Sequence, residues 1–315
     1  MIDLQLQAVE ALRSISRNEK IKKYLLQNPS LYKIVLRAAM RFIGGETLAE
    51  CFHIAQQITV NGHAFTIDFI GESTRDEKAV NLATEEFLRV VSKIKKTRST
   101  ASISLDLSHI GSVIDKELGH TNAVRIAEAS RKAGIEMMIS MEGIDRTDSI
   151  LEEYFRLSKT YENVGITIQA YLHRTKKDLQ EVLKRRGKIR LVKGAYKVPE
   201  TEALPLGSKT DKAYKKYIET ILSQNYLCSI ATHDENLLMH ADTIIKRHKL
   251  KINKMEFEML HGVTPDRLLQ LHQKGYKTRE YLPYGKEWYL YLCHRLAENP
   301  ANIYQALADA AGNVL

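Results

Sequence analysis

The first sixty residues carry apolar side chains at helical spacing. Three amphipathic stretches share this spacing: Leu4–Ile15, Leu31–Phe42 and Thr47–Val60. Apolar residues that recur every three to four positions are typical of helices that bury one face. The pattern therefore predicts a helical segment over residues 1–60, ahead of a differently patterned region over residues 61–315.

After residue 60 the pattern changes to short apolar runs that alternate with amphipathic helices. Eight runs have the length of a strand: Ala64–Ile70, Ala101–Leu107, Ile135–Met141, Val164–Leu172, Lys188–Ala195, Tyr226–Thr232, Lys254–Leu260 and Tyr276–Tyr281. Alternating strands and helices indicate βαβ units, which build parallel sheets. Because eight units complete one closed barrel, we predict an α/β protein with the (β/α)8 architecture of TIM barrels.

The predicted helices begin and end at residues that favour helix termini. Thr175, with Asp178 three positions later, is expected to start one helix, and Gly187 to end it. The Thr264-Pro265 pair is expected to start another, which ends at Gly275. The rival architecture is an open doubly wound sheet, which would need a GxGxxG motif after its first strand to hold a pyrophosphate. The sequence has no such motif there.

The composition fits a globular protein with a sizeable core, since 44% of the 315 residues are apolar and 27% are charged. Lys and Arg outnumber Asp and Glu by 47 to 38, and the formal charge of +9 would also suit a nucleic-acid binder. The basic runs at residues 93–96 and 184–186 fall at predicted helix ends, where cations complement the helix dipole and face water. The charge alone therefore favours a solvated surface over a nucleic-acid site.

Cysteine usage and hydropathy bear on the compartment. Cys51, Cys228 and Cys293 are too scattered for a disulfide framework or a metal site, so we expect a reducing cytoplasm and no metal. The N-terminus lacks the apolar block of a signal peptide, and no run reaches the roughly 18 to 20 apolar residues that span a bilayer. We therefore expect no transmembrane segment, and any membrane contact to be peripheral, at the inner face.

Chemically distinctive residues follow four consecutive predicted strands and the helix after them. In chain order these are Arg190-Leu191-Val192-Lys193-Gly194, Thr232-His233, Leu260-His261-Gly262, Tyr281, and the helix residues Tyr291, His294, Arg295 and Glu298. Tyr291, Arg295 and Glu298, at spacings of four and three, share one face of their helix. Acidic and apolar residues alternate along the seventh strand, as is typical of a barrel strand. The carboxyl ends of barrel strands carry the active site, and two cations there would suit an anionic or electron-rich ligand. Taken singly, each motif also has a structural explanation, as a turn, a helix-terminal polar group or core packing.

Together, and in this order, the motifs resemble those of the proline dehydrogenase family, from Val164 to Ile303 with a weaker similarity from Thr66 onward. The resemblance implies a (β/α)8 barrel that binds FAD non-covalently. It also implies oxidation of a ring C–N bond by hydride transfer to flavin N5, which converts L-proline to 1-pyrroline-5-carboxylate. A quinone at a membrane is the electron acceptor common in the family.

The resemblance also implies roles for particular residues. Those expected to contact the flavin or its pyrophosphate are Gln169, Arg190, Val192, Lys193, Gly194, Thr232 and His233. Those expected to contact the substrate are Leu260, Tyr281, Tyr291, Arg295 and Glu298. A cation near the flavin favours its anionic reduced form, and an arginine can hold a carboxylate with two hydrogen bonds.

The chain departs from the family pattern at three positions in the expected substrate pocket. His294 stands where the family has the first arginine of an Arg-Arg pair, Asp106 where it has a lysine, and Ser140 where it has an aspartate. These exchanges would make the pocket about two charges less positive near pH 7. An ionised Asp106 would repel a substrate carboxylate.

Four interpretations follow. The enzyme oxidises L-proline in spite of these exchanges, or it is a divergent member that oxidises another cyclic or secondary amine, one without a free carboxylate or with an extra cation. A non-catalytic barrel is the third interpretation, against which the retained Lys193, His233 and Arg295 argue. A nucleic-acid-binding protein is the fourth.

Overall fold

Eight parallel strands form a closed barrel in the computed structural model of the chain. The structure describes residues 2–16, 18–97, 99–196, 198–250, 252–298 and 300–312. The strands are β1 (Ala64–Phe69), β2 (Ala101–Leu105), β3 (Glu136–Ile139), β4 (Val164–Gln169), β5 (Ile189–Val192), β6 (Cys228–Ala231), β7 (Met255–Leu260) and β8 (Thr278–Tyr284). Each strand pairs with the next in the chain, and β8 pairs with β1, so the predicted (β/α)8 barrel is confirmed.

Helices surround the barrel and precede it. In the described residues they are α1 (Ile2–Ser16), α2 (Glu19–Gln27), α3 (Pro29–Ala39), α4 (Leu48–Val60), α5 (Glu77–Thr97), α6 (Lys116–Ala133), α7 (Thr147–Leu157), α8 (Thr175–Val182), α9 (Ser208–Ser223), α10 (Glu235–Arg247), α11 (Pro265–Gln273), α12 (Trp288–Glu298) and α13 (Pro300–Ala311). The three predicted N-terminal helices correspond to α1, α3 and α4. Helix α2 was not predicted, and the Asn28 side chain caps the start of α3 directly after it.

Most predicted strands extend too far at their carboxyl ends, because apolar residues continue into the following loops. Beyond β4, Tyr171 and Leu172 are buried in a small cluster with Ala203 although they lie outside the strand. The predicted strand at residues 188–195 ends at Val192, so Lys193 and Gly194 lie in the loop.

Helix α8 begins at Thr175 as predicted, but the side chains expected to mark this start make other contacts. The Thr175 hydroxyl donates to the backbone oxygen of Gln169 at 2.6 Å and so ties the loop to β4 instead of capping α8, while Asp178 pairs with Arg174. Helix α8 also ends at Val182, well before Gly187. Helix α11 begins at Pro265 as predicted, but its N-terminal residue Thr264 makes no capping bond with its side chain.

The barrel strands point apolar side chains outward and polar ones inward. On β7, Glu256 and Glu258 lie inside the barrel, whereas Phe257 and Met259 belong to the core between barrel and helices. This confirms the alternation that the sequence shows on this strand. The barrel interior is therefore a buried polar region, and the apolar core forms a shell around it.

Charged side chains are paired in the lower part of the barrel interior, which is the part near the amino ends of the strands. Lys188 lies 3.0 Å from Glu256 and also pairs with Glu136, and Arg279 lies 2.8 Å from Glu256. Burial opposes the ionisation of Glu256, but Arg279 and Lys188 outweigh it and lower the pKa of this carboxyl to about 2. Removing one member would leave a buried charge uncompensated, which costs about 3–5 kcal/mol in comparable pairs.

The N-terminal helices pack against the C-terminal helices, beside the carboxyl ends of the strands. Helix α1 lies along α12, and α3 lies along α13. The Gly44 amide donates to the backbone oxygen of Pro283 at 2.8 Å, and the Trp288 indole donates to Glu46 at 2.9 Å. The division of the chain at residue 60 stays a prediction. In the described part of the chain, no helix combines the length and hydropathy needed to cross a membrane.

Candidate active site at the carboxyl ends of the strands

The closed barrel gathers the candidate residues at one end. Gln169 ends β4, Val192 ends β5, Leu260 ends β7, and Tyr281 lies on β8 beside Leu260 in register. The loops that follow β2, β3, β5 and β6 contribute Asp106, Ser140, Lys193, Gly194, Thr232 and His233. Helix α12 contributes Tyr291, His294, Arg295 and Glu298.

The carboxyl ends of the strands and the loops after them form the mouth of the barrel. Arg190 lies inside the barrel, below this mouth. Its guanidinium donates to Thr167 at 3.0 Å and to Ser104 at 2.7 Å, and it pairs with Glu258 at 3.3 Å. Its carbon Cζ lies 5.1 Å from the centre of the Tyr281 ring. These contacts fix the cation in place beneath the expected position of the ligand.

The positive charge of Lys193 is compensated by two carboxylates of the protein. Its Nζ lies 2.6 Å from Asp211 on α9 and 2.6 Å from Asp234, the N-cap residue of α10. Burial works against the charge, but the two carboxylates outweigh it and raise the pKa of Lys193. The cation would therefore share its charge between these carboxylates and any phosphate bound nearby.

Gly194 occupies a position that other residues would fill badly. Its φ of +115° lies in a region that L side chains rarely adopt, and a Cβ built there would come within 2.2 Å of the Tyr171 ring. The backbone at this point can therefore approach a ligand closely, in a conformation that glycine permits.

Gln169 carries a buried polar atom that nothing in the described chain satisfies. Its Nε2 donates to the backbone oxygen of Glu142 at 2.9 Å, which fixes the amide, but Oε1 has no hydrogen-bond partner among the described residues. The side chain is only 4% exposed. Since buried acceptors are nearly always satisfied, a ligand N–H is the natural partner for this oxygen.

His233, in the loop after β6, is hydrogen-bonded to the end of β7, whereas Thr232 is hydrogen-bonded within its own loop. His233 Nε2 accepts the Leu260 amide at 3.2 Å, so the ring proton is on Nδ1, which donates to Thr264 at 2.8 Å. Burial, assisted by Arg295, lowers the pKa of His233 to about 4 and keeps it neutral. The Thr232 hydroxyl accepts the Asp234 amide at 3.1 Å. Contact of either side chain with a cofactor stays a prediction.

Tyr281 has a partner that the sequence did not reveal. Its hydroxyl donates to the carboxylate of Asp68 on β1, the strand that closes the barrel. Burial raises the pKa of Asp68 to about 6, against the opposing effects of Tyr281 and Arg190. The signal was present in Thr66 and Asp68, which alternate with apolar residues along β1 as the inward-facing positions do on β7.

Helix α12 covers one side of the mouth with an aromatic and charged face. As the helical spacing predicted, Tyr291, Arg295 and Glu298 contact each other. The Cζ of Arg295 lies 5.1 Å from the centre of the Tyr291 ring, and its guanidinium forms a bidentate ion pair with Glu298. Arg295 Nε and the Tyr291 hydroxyl are buried, and neither has a hydrogen-bond partner among the described residues. His294 is half-buried on the same helix. The Arg295 Nε–H and the Tyr291 hydroxyl are thus available to hydrogen-bond a ligand that lies against α12.

Asp106 and Ser140 lie side by side, in a region rich in carboxyl groups. The two side chains are hydrogen-bonded, and burial together with Glu142, Asp68 and Glu72 raises the pKa of Asp106 well above its ordinary value. These neighbours disfavour the ionised form of Asp106.

A model of the proline dehydrogenase family matches residues 51–306, which include all eight strands and α12. The chain belongs to this family. The resemblance drawn from the motifs is therefore confirmed.

Individual members of the proline dehydrogenase family agree with this placement. Proline dehydrogenase 2 of Bacillus subtilis is 35% identical over 266 residues, which cover 84% of this chain and 88% of the relative. Proline dehydrogenase 1 of the same species is 32% identical over 285 residues, which cover 89% and 94%.

The fold agrees with a solved structure of the related protein proline utilization A. The crystal structure of that protein from Bdellovibrio bacteriovorus, inactivated by N-propargylglycine, superposes with a TM-score of 0.81 at 22% identity. The superposition covers 99% of this chain and 40% of the other, so the present chain corresponds to one part of a longer protein there.

Proposed function

We propose that the protein is an FAD-dependent proline dehydrogenase that oxidises L-proline to 1-pyrroline-5-carboxylate. The family match over the whole barrel carries the proposal, and the unsatisfied polar atoms at the mouth support it. The two interpretations from other classes, a non-catalytic barrel and a nucleic-acid binder, receive no specific support from the comparisons. Oxidation of a different amine receives none either.

The residues at the mouth fit a flavin nucleotide. Gln169 Oε1 would accept a ring N–H, Gly194 would let the backbone approach, and Lys193 would offset phosphate charge. Arg190, Val192, Thr232 and His233 complete the proposed binding site. The chemistry that FAD supplies when bound is acceptance of a hydride from the carbon next to the substrate nitrogen.

The substrate would lie against Leu260, Tyr281 and Tyr291. Arg295 would bind its carboxylate through Nε, since Glu298 takes its two terminal nitrogens. This arrangement orients the ring while the aromatic and apolar walls exclude water. Proline must lose its ammonium proton before oxidation, because the nitrogen lone pair drives hydride loss, and solvent can take that proton.

The proposal extends to a quinone as the electron acceptor and to the cytoplasm as the compartment, with peripheral contact at the inner face of the membrane. The formal charge of +9 supports this contact, because the cytoplasmic leaflet carries negative charge.

The test is reduction of a soluble redox dye by the FAD-loaded protein, with L-proline as the only electron donor and pyrrolidine, which lacks the carboxylate, as the comparison. We expect dye reduction that saturates with L-proline and much slower reduction with pyrrolidine. Equal or faster turnover of pyrrolidine would overturn the assignment of proline as the substrate.

A further inference from the structure

The direction of the Gln169 side-chain amide depends on a single hydrogen bond. The Gln169 backbone oxygen accepts the Thr175 hydroxyl at 2.6 Å, so the main chain is fixed at the end of β4. In the side chain, Nε2 donates to the backbone oxygen of Glu142 at 2.9 Å, and Oε1 has no partner among the described residues. Because a backbone carbonyl can only accept, this bond turns Nε2 toward Glu142 and leaves Oε1 directed away from it.

A closed cycle of four hydrogen-bonded residues holds Glu142. The Ser73 amide donates to the Ser108 hydroxyl at 2.8 Å, and the Ser108 amide donates to Glu142 Oε1 at 3.1 Å. Arg146 completes the cycle, because its guanidinium pairs with Glu142 and also donates to the Ser73 hydroxyl at 2.9 Å. The four-residue cycle of Ser73, Ser108, Glu142 and Arg146 thus ties together the loops after β1, β2 and β3.

The carboxylate in this cycle depends on Arg146 for its compensation. Glu142 is 2% exposed, and Ser108 is fully buried. In the described part of the chain, Arg146 is the one cation that pairs with Glu142. Without it, a buried carboxylate would keep only the Ser108 amide as a donor, which is strongly unfavourable. The loop at Glu142 would then have to move, and the backbone oxygen that holds Gln169 would move with it.

The backbone of Ser73 is strained at the point where the cycle closes. Its φ is +54°, in the left-handed region that residues with a side chain rarely adopt. Such conformations persist where the surrounding structure fixes them, and they are concentrated at functional sites. The bonds of Ser73 to Ser108 and Arg146 are contacts of this kind, so the strain supports a functional role for the cycle.

We propose that Arg146 is a positioning residue for the cofactor, which holds Glu142 through the four-residue cycle so that Gln169 Oε1 faces the flavin. The inference rests on the proposed function, since it takes FAD as the ligand of this site. A polar group that is oriented before binding costs less to order when the ligand arrives. The cycle should therefore contribute to FAD affinity through Gln169.

Titration of the cofactor-free protein with FAD, followed by flavin fluorescence, tests this inference. Gln169→Ala removes the acceptor and should raise the dissociation constant about 10-fold, and Arg146→Ala should raise it about 3- to 10-fold, the usual effect of losing or misplacing one hydrogen bond. The double variant should bind FAD within about twofold of Gln169→Ala alone, because Arg146 then has no amide left to position.

Two results would overturn the inference. Effects that multiply in the double variant would show that Arg146 acts independently of Gln169. An Arg146→Ala protein that binds FAD as tightly as the unmodified protein would show that the cycle does not orient the amide.

Ser73→Gly carries the test if Arg146→Ala does not fold, because glycine adopts a φ of +54° readily and only the hydroxyl is lost. It should raise the dissociation constant about 2- to 5-fold, and this effect should be absent in the Gln169→Ala background. An unchanged affinity of Ser73→Gly, or an equal effect in both backgrounds, would contradict the inference.

Arg156→Ala is the matched control. Arg156 also forms a bidentate ion pair, with Glu117, but its side chain is 44% exposed. The substitution should leave the dissociation constant for FAD unchanged. An unmodified protein that does not bind FAD would contradict the proposed function. An unmodified protein that binds FAD, but in which Arg146 and Gln169 act independently, would contradict this inference alone.

Discussion

The lower and upper parts of the barrel interior are both buried and both charged, but they differ in how their charges are matched. Below, Lys188 and Arg279 share Glu256 at 3.0 and 2.8 Å. Above, Asp106 lies among other carboxyl groups, and the Gln169 oxygen has no partner among the described residues. Matched charges belong to the folded barrel, whereas mismatched charges and unsatisfied atoms mark where a ligand completes the structure.

The largest expected effect breaks the lower network. Glu256→Gln should lower the free energy of unfolding by about 3–5 kcal/mol, because two buried cations lose their shared carboxylate. Urea denaturation monitored by circular dichroism measures this. Glu162→Gln is the control, since it removes a carboxylate from an exposed pair with Arg186 and should change the free energy by less than about 1 kcal/mol. Equal effects of the two substitutions would show that the lower network does not stabilise the barrel.

The same network predicts a direction for acid unfolding. The folded-state pKa of Glu256, about 2, lies below its ordinary value of 4.5. Its contribution to stability is therefore complete above pH 4.5 and is lost as the pH falls toward 2. The stability difference between the unmodified protein and Glu256→Gln should shrink over this window, and a difference that stays constant would contradict the pairing.

The next effect concerns the mouth. Arg295→Ala should raise the KM for proline about 10- to 100-fold, because a charge-assisted hydrogen bond to the carboxylate is lost. Arg186→Ala, at a side chain that is 79% exposed, should leave KM unchanged. Steady-state kinetics on both variants decide the point, and a near-normal KM for Arg295→Ala would exclude this arginine from carboxylate binding.

A smaller effect is expected at the cofactor. Gly194→Ala should weaken FAD retention about tenfold, since a positive φ costs about 1–3 kcal/mol in a residue with a side chain and the new Cβ meets Tyr171. Gly134→Ala is the control, because Gly134 also has a positive φ but a Cβ there meets no atom within 4 Å. The ratio of flavin to protein absorbance after gel filtration gives the result. Full retention in Gly194→Ala would remove this loop from the cofactor site.

The smallest effect is expected from a substitution in the upper part of the barrel, near the carboxyl ends of the strands. Tyr281→Phe removes the donor to Asp68, so the pKa of Asp68, now about 6, should rise by about one unit. The acidic limb of the pH profile of kcat/KM for proline should then shift to higher pH. An unchanged profile would show that Asp68 does not influence substrate binding.

Much of the fold could be predicted from local patterns. Acidic and apolar residues alternate along β7 in the sequence, and the structure places Glu256 and Glu258 in the interior, because strand side chains change face at every residue. Strand ends were less accurate, since buried loop residues such as Tyr171 resemble strand residues in the sequence. The start of α8 at Thr175 was predicted correctly, but the bond of its hydroxyl to Gln169 was not, since that contact depends on loop geometry.

The site could be predicted residue by residue but not as a set of contacts. The helical spacing correctly joined Tyr291, Arg295 and Glu298. The pairing of Tyr281 with Asp68 joins residues 213 positions apart and follows only from closure of β8 onto β1. The raised pKa of Asp106 likewise depends on which carboxyl groups the barrel brings near it, and its sequence neighbours do not reveal them.

The most direct test of the assignment is the visible spectrum of the purified, FAD-reconstituted protein before and after anaerobic addition of L-proline. We expect the flavin to stay bound and to lose nearly all of its absorbance near 450 nm when proline is added, because hydride transfer reduces the cofactor. A bound flavin that proline leaves oxidised would contradict the assignment.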